Sequence, residues 1–220
     1  MTSFALESVV CGACGHVFAF DALASTNSFG SPDLDTRPPE MQRSTMHAWI
    51  QRCPSCGYCS SDVTKFDARF RPVIAGTAYR LQLADVRYPD IASTFICAAM
   101  LDEASGRRDG AGWAYLHAAW TLDDAKKDEL ACLCRSKAAD RFLALTTDGH
   151  PFAQQPSASE AILTDCLRRA GRGAEALRVI ERALSENCVD IIAKILVLER
   201  SLIQRGDTGG HLVQEALEAR

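Results

Sequence analysis

Two cysteine pairs, Cys11-Gly-Ala-Cys14-Gly15 and Cys53-Pro-Ser-Cys56-Gly57, constrain the fold of this chain more than any other feature. Each is a C-x-x-C-G knuckle. It is a tight turn in which two thiolates face one point, and the following glycine takes a backbone conformation that aims N–H groups at the sulfurs. Two knuckles supply four thiolates, the donor set of a tetrahedral zinc site. Cys11, Cys14, Cys53 and Cys56 are therefore the expected metal ligands. His16, His47 and Cys59 stand near them in sequence, but four cysteines already complete the shell, which leaves these three as supporting or core residues.

Around the knuckles the residues read as strands. His16 to Phe20 leaves the first knuckle as a short apolar run, and Met46 to Gln51 enters the second and is its expected partner. A ribbon this small buries too little apolar surface to fold alone, so a metal would contribute most of its folding energy. Thirty-eight residues separate Cys14 from Cys53, against about 15–20 in a compact ribbon. The excess is a loop, Asn27 to Pro39, whose prolines and glycine exclude a helix. In an extended segment Asp33, Asp35 and Arg37 project to one side, either as a local ion pair that pins the loop or as a polar recognition surface. Lys65, Arg69 and Arg71 alternate with Phe66 and Phe70, a pattern that closes the edge of a small domain or stacks on nucleic acid.

From Val73 onward apolar residues recur at helical spacing. The spacing predicts one helix over Val73 to Arg87 and a second over Ile91 to Ala104, capped by Asp90. A polar connector, Gly106 to Gly110, precedes a third helix marked by Trp113, Leu116 and Trp120. A fourth, capped by Asp123 or Asp124, carries the stripe Leu130, Leu133, Cys134, Phe142 and Leu145. Between Pro156 and Ala183 two helices flank the turn Gly171-Arg-Gly173, and Ile191 to Gln204 and His211 to Ala219 supply further ones. Polar positions such as Arg168, Arg172 and Glu175 read as exposed. The predicted fold class is α+β: a four-cysteine zinc-ribbon-like module over 1–71 followed by an all-α domain over 72–220.

The stretch around Leu163, Leu167, Gly171, Ala176, Ile180 and Ala183 resembles a tetratricopeptide repeat (TPR), with a turn glycine followed by small-large-small packing. Its aromatic signature residues and closing proline are missing, so the body is TPR-like rather than a regular array. The knuckles, the stretch Trp49 to Tyr58 and the repeat from Leu167 to Leu184 together resemble the bacterial DUF2225 group. That resemblance implies a bacterial cytoplasmic protein and carries no catalytic residue.

Net charge is −4, which argues against broad binding to polyanions. Met1 to Val10 has no basic stretch ahead of a long apolar run, so no secretory signal is expected, and no stretch has the length of a membrane span. The expected compartment is the cytoplasm, where the ten cysteines stay reduced. No H-E-x-x-H, G-x-S-x-G or Walker A pattern occurs, and a closed thiolate shell has no open position for a catalytic water. The sequence thus reads as a non-enzymatic, zinc-stapled adaptor that binds a peptide or protein partner through a helical groove, with no membrane partner. One alternative is nucleic-acid binding through Arg52, Lys65, Arg69 and Arg71. Another is iron-based electron transfer, because both knuckles resemble those of rubredoxin.

Overall fold

A computed structural model describes residues 1–186 and 188–218. Strands β1 (Ser3–Val10) and β2 (Val17–Ser25) form an antiparallel hairpin in which Val10 faces Val17, so the first knuckle is the hairpin's loop. The two-residue strands β3 (Gln51–Arg52) and β4 (Cys59–Ser60) pair antiparallel around the second knuckle in the same way. Apart from Val9, every residue of β1 is exposed, and Leu6, Val10 and Val17 offer apolar side chains to solvent.

The expected pairing of Met46–Gln51 with the strand leaving the first knuckle does not form. Arg43–Ala48 is a 3-10 helix, and β2 pairs with the opening residues of the chain instead. The local chemistry explains the difference. Thr45 donates its hydroxyl to Gln42 O at 2.7 Å and accepts the Trp49 Nε1–H at 2.9 Å, an i, i+4 link that only a helical turn closes.

The helical body runs through α1 (Arg71–Ala75), α2 (Thr77–Ala84), α3 (Asp90–Ser105), α4 (Arg108–Asp124), α5 (Asp128–Thr147), α6 (Ala158–Arg169), α7 (Gly173–Ser185), α8 (Asp190–Gln204) and α9 (Val213–Glu218). The helix expected over Val73–Arg87 is broken at Gly76, whose extended ψ of 147° ends α1 and starts α2. Gly110 lies inside α4, so the connector before that helix is shorter than its glycines imply. Asp123 and Asp124 close α4 rather than cap α5, because both are drawn to cations from other elements. Leu133, expected in the α5 stripe, is exposed, while Cys134 and Phe142 are buried. Gly171, at φ +73°, makes the turn between α6 and α7, and Leu163, Leu167, Ala176, Ile180 and Ala183 are buried as that hairpin requires. The last expected helix reaches Glu218 among the described residues; Ala219 lies outside them.

Each helix from α3 to α8 packs on its successor, and α6 also touches α8. One apolar core continues from Val9 and Cys11 through Tyr58, Phe95 and Trp120 to Leu167 and Val179. A second joins Leu34 of the N-terminal loop to α7, α8 and α9.

The expected local pair forms, with Arg37 3.9 Å from Asp33, but the loop is pinned mainly by contacts to distant elements and is not a free surface. Asp33 N–H donates to Arg37 O at 3.0 Å, and Thr36 sits at φ +68°, so the segment is a tight turn rather than extended chain. Leu34 N–H donates to His211 O at 2.9 Å, and Val213 N–H donates to Pro32 O at 2.9 Å, which ties the loop to the end of the chain. Asp35 is fully buried and accepts the Trp120 indole N–H at 2.8 Å and an Arg135 N–H at 3.4 Å, with Arg169 at 3.6 Å. Arg37 reaches Asp123 at 3.5 Å and also pairs with Asp124. Arg168, expected at the surface, is buried between Asp165 (2.5 Å) and Glu199 (2.6 Å). The guanidinium there donates to both carboxylates and to the carbonyls of Asp207 and Gly209, so it links α6, α8 and the turn that precedes α9.

Burial, reinforced by the charge of Asp35, pushes the Asp33 carboxyl up from 3.8 to about 6. A carboxyl raised on folding stabilises the native state below its unfolded pKa and loses that contribution as pH rises through the folded one. Asp33→Asn is therefore expected to gain stability relative to the parent between pH 4 and 6. Paired urea titrations across that range check it, and parallel pH profiles would contradict it.

Candidate metal centre

The two knuckles are built alike. Gly15 N–H donates to Cys11 O at 2.7 Å, and Gly57 N–H donates to Cys53 O at 2.9 Å. Cys11 N–H reaches His16 O, and Cys53 N–H reaches Tyr58 O, both at 2.9 Å. The glycines that close the turns have φ of +74° and +77°, the left-handed conformation that a side chain resists.

The hairpin and the β3–β4 pair bring the knuckles face to face. Cys11 Sγ lies 3.7 Å from Cys56 Sγ, and Cys14 Sγ lies 3.7 Å from Cys53 Sγ. All four sulfurs are within 4.8 Å of one another. A tetrahedron with metal–sulfur bonds of 2.3 Å has edges of about 3.8 Å, so the cluster has the size of a four-thiolate site. The four cysteines, with no disulfide among them, could hold one metal ion. His16 stacks on Phe18, His47 lies against Phe4 with its Nδ1 near Ser44 O, and the Cys59 thiol donates to Gly57 O. Among the described residues none of the three joins the sulfur cluster.

Cys11 and Cys53 are buried, and Cys14 is open to solvent. Burial pushes the thiols of Cys11 and Cys56 up, whereas the backbone N–H of His16 beside Cys14 pulls that thiol down to about 7. A divalent cation would displace the remaining protons and supply the positive charge that four thiolates in such close contact need.

The first knuckle is held from below by the chain that follows the second. Gly12 N–H donates to Val63 O at 2.9 Å, and a Cβ on Gly12 would lie 2.5 Å from Thr64 O. Gly12→Ala is expected to destabilise the ribbon by about 1–3 kcal/mol and to weaken metal retention, because the blocking atom is backbone. A competition titration against a colorimetric chelator reads the second effect, and unchanged retention would show that the knuckle shifts freely.

The second knuckle is fastened to the helical body by residues that the spacing of the motif does not reveal. Tyr79 of α2 donates its hydroxyl to Gly57 O at 2.8 Å, and Arg80 donates to Cys56 O at 3.0 Å. Their signal is absent from the local sequence because they lie more than twenty residues away.

The cations considered for nucleic acid have nearby partners. Lys65 faces Asp62 at 3.2 Å, Arg69 grips Asp67 at 2.6 Å, Arg52 lies 3.6 Å from Asp90, and Arg71 covers the Phe66 ring. Phe66 packs edge to face on both Tyr58 and Phe70, and Tyr58 donates its hydroxyl to Lys65 O, so this segment closes the ribbon. Among the described residues no helix is long and apolar enough to cross a membrane. Comparison with protein-family models, curated proteins and solved structures gives no match.

Proposed function

We propose that the chain is a zinc-stapled adaptor without catalytic activity, which binds a peptide or protein segment along a groove of its helical body and belongs with the DUF2225-like proteins. The observation that carries this reading is the four-sulfur cluster: every corner of a tetrahedron is a cysteine, which leaves no position for a water or substrate. Such an ion holds structure rather than performs chemistry. Zinc is preferred to iron because the cluster is anchored to α2 as a structural staple, and electron transfer has no use for a helical body of this size. Successive packed helices, ending in the α6–α7 hairpin with its TPR-like spacing, form the kind of support on which repeat proteins display extended binding surfaces. The acidic balance suits a basic or neutral segment.

Two measurements test the reading. Elemental analysis is expected to give one zinc per chain in a colourless preparation, and a red iron protein would overturn the staple. Charge reversal at Arg178 and Glu181, exposed on α7, is expected to reduce capture of the partner, whereas Leu6→Asp on the hairpin is expected to leave it unchanged. If only the hairpin change matters, the groove is not the contact.

A further inference from the structure

All three tryptophans of the chain gather around one histidine. The imidazole of His117, in the middle of α4, lies 4.9 Å from the Trp120 ring, 5.5 Å from Trp49, 5.9 Å from Trp113 and 5.3 Å from Phe95. Each indole N–H is already spent. Trp49 donates to Thr45 Oγ1 at 2.9 Å, Trp120 to Asp35 Oδ2 at 2.8 Å, and Trp113 to Phe152 O at 3.3 Å. Among the described residues the nitrogens of His117 have no such partner, and burial, with no opposing contact, pushes the imidazole down to about 4. It is neutral at pH 7, with one N–H to donate and one lone pair to accept.

His117 is deep in the fold and yet keeps some accessible surface. That surface opens into two cavities, which share Trp49, Trp113 and His117 as a common wall. One, of about 310 Å³, lies between the ribbon and helices α3 and α4, lined by Tyr58, Phe70, Phe95, Ala98 and Ala114. The other, of about 410 Å³, is roofed by Pro32, Pro38 and Pro39 of the N-terminal loop. Asp102 and Arg107 stand at the first cavity but neutralise each other in an ion pair, so it offers no net charge. The space continues past Tyr58, Ser60 and Arg107 into an open groove of about 750 Å³.

We propose that the cavity between the ribbon and helices α3 and α4 binds a small uncharged heteroaromatic ring, of benzimidazole or purine size, held among the aromatic side chains of Trp49, Trp113 and Phe95 and recognised by one hydrogen bond to a ring nitrogen of His117. The size lies at the lower end of ligand cavities, and aromatic walls with one converging polar group are the usual make-up of such a site. Stacking supplies affinity without regard to charge. A ring that covers the imidazole takes it out of contact with water, so one that cannot pair with it leaves a polar group unsatisfied and is bound more weakly. A charged ligand is disfavoured, since the interior supplies no counter-charge. The wall is assembled from both parts of the chain, so occupancy would brace the ribbon against the helical body.

The test uses the full chain and its own tryptophans as reporters. Benzimidazole and adenine are titrated against naphthalene, which has the shape but no ring nitrogen, with fluorescence excited at the red edge of indole absorption. The expected result is a saturable change for the two heteroaromatics, with naphthalene bound about tenfold more weakly. His117→Phe keeps the aromatic packing and is expected to abolish that discrimination. Ala114→Phe fills the cavity and is expected to abolish binding of all three probes, with thermal melts confirming that both variants fold. No saturable signal at millimolar heteroaromatic, or naphthalene bound as tightly as benzimidazole, would overturn the proposal. So would undiminished benzimidazole binding by a folded Ala114→Phe protein. The wild-type comparison of benzimidazole with naphthalene needs no variant, so it decides the matter even if both substitutions unfold the chain.

Discussion

Cys53→Ser is expected to abolish stoichiometric metal binding and to unfold the ribbon together with α1 and α2, while α4 to α8 keep their amide protection. Cys53 is fully buried, and its sulfur sits 3.7 Å from Cys14 across the cluster, so a serine there removes a ligand and leaves a hydroxyl in an apolar site. Structural zinc contributes apparent free energies of about 10–16 kcal/mol in small metal-dependent folds, far more than a two-stranded hairpin can replace. The unfolding should not stop at the end of the ribbon. Tyr79 and Arg80 hold the second knuckle through backbone carbonyls, and both partners are lost when the turn opens. Helices α1 and α2 are short, and α2 buries only Tyr79 among its residues. By contrast α4 and α5 share a large interface around Leu116, Trp120 and Phe142. Hydrogen exchange, compared between the parent and the variant and between holo protein and chelated protein, resolves these segments. Protection lost uniformly to α8 would show that the continuous core unfolds as one unit. Protection lost only before Arg71 would show that the knuckle's contacts to α2 are dispensable.

Asp35→Ala is expected to lower the free energy of unfolding by about 3–5 kcal/mol, which is much of the stability of an ordinary domain. The carboxylate is fully buried and faces Arg135, which is itself 2% exposed, and Arg169. Removing it leaves these guanidiniums with Asp123 as their remaining acid and deprives the Trp120 indole N–H of its acceptor. The penalty is the desolvation of charges that lose their partner, not the worth of the pair itself. Asp35→Asn separates the two contributions, since the amide oxygen can still accept from Trp120 while the charge is gone. If the charge dominates, Asn and Ala lose similar stability in urea titrations; if the indole bond dominates, Asn recovers most of it. A change below about 0.5 kcal/mol for both, typical of surface sites, would show that the network is hydrated and weak.

The four-cysteine cluster was legible in part because the signal of each knuckle is local. Each turn of fixed spacing, closed by a glycine, aims two sulfurs at one point, and the fold then brings Cys11, Cys14, Cys53 and Cys56 together. The long helices and the α6–α7 hairpin were legible for a related reason. Helical periodicity and the Gly171 turn are properties of neighbouring residues, and the buried faces follow from them. The partner of β2 was not legible, because β1 buries only Val9 and shows no alternation, while the half-buried face of the hairpin comes from Phe18 and Phe20 of β2.

The alternation of Asp33, Asp35 and Arg37 likewise gave the residue types but not their partners. Whether a carboxylate meets water or a guanidinium about a hundred residues away depends on where the chain folds back, and here Arg135 and Arg169 arrive from α5 and α6. Arg168 shows the same limit in reverse. A basic residue in an amphipathic helix reads as exposed until α8 places Glu199 against it. Sequence alone thus determined the two cysteine knuckles and the helical periodicity, which depend on short-range geometry. Tertiary structure alone decided which charges are buried, which knuckle is tied to α2, and that three dispersed tryptophans close around His117. Those outcomes depend on contacts between elements distant in the chain, where burial turns an ordinary side chain into a strong constraint.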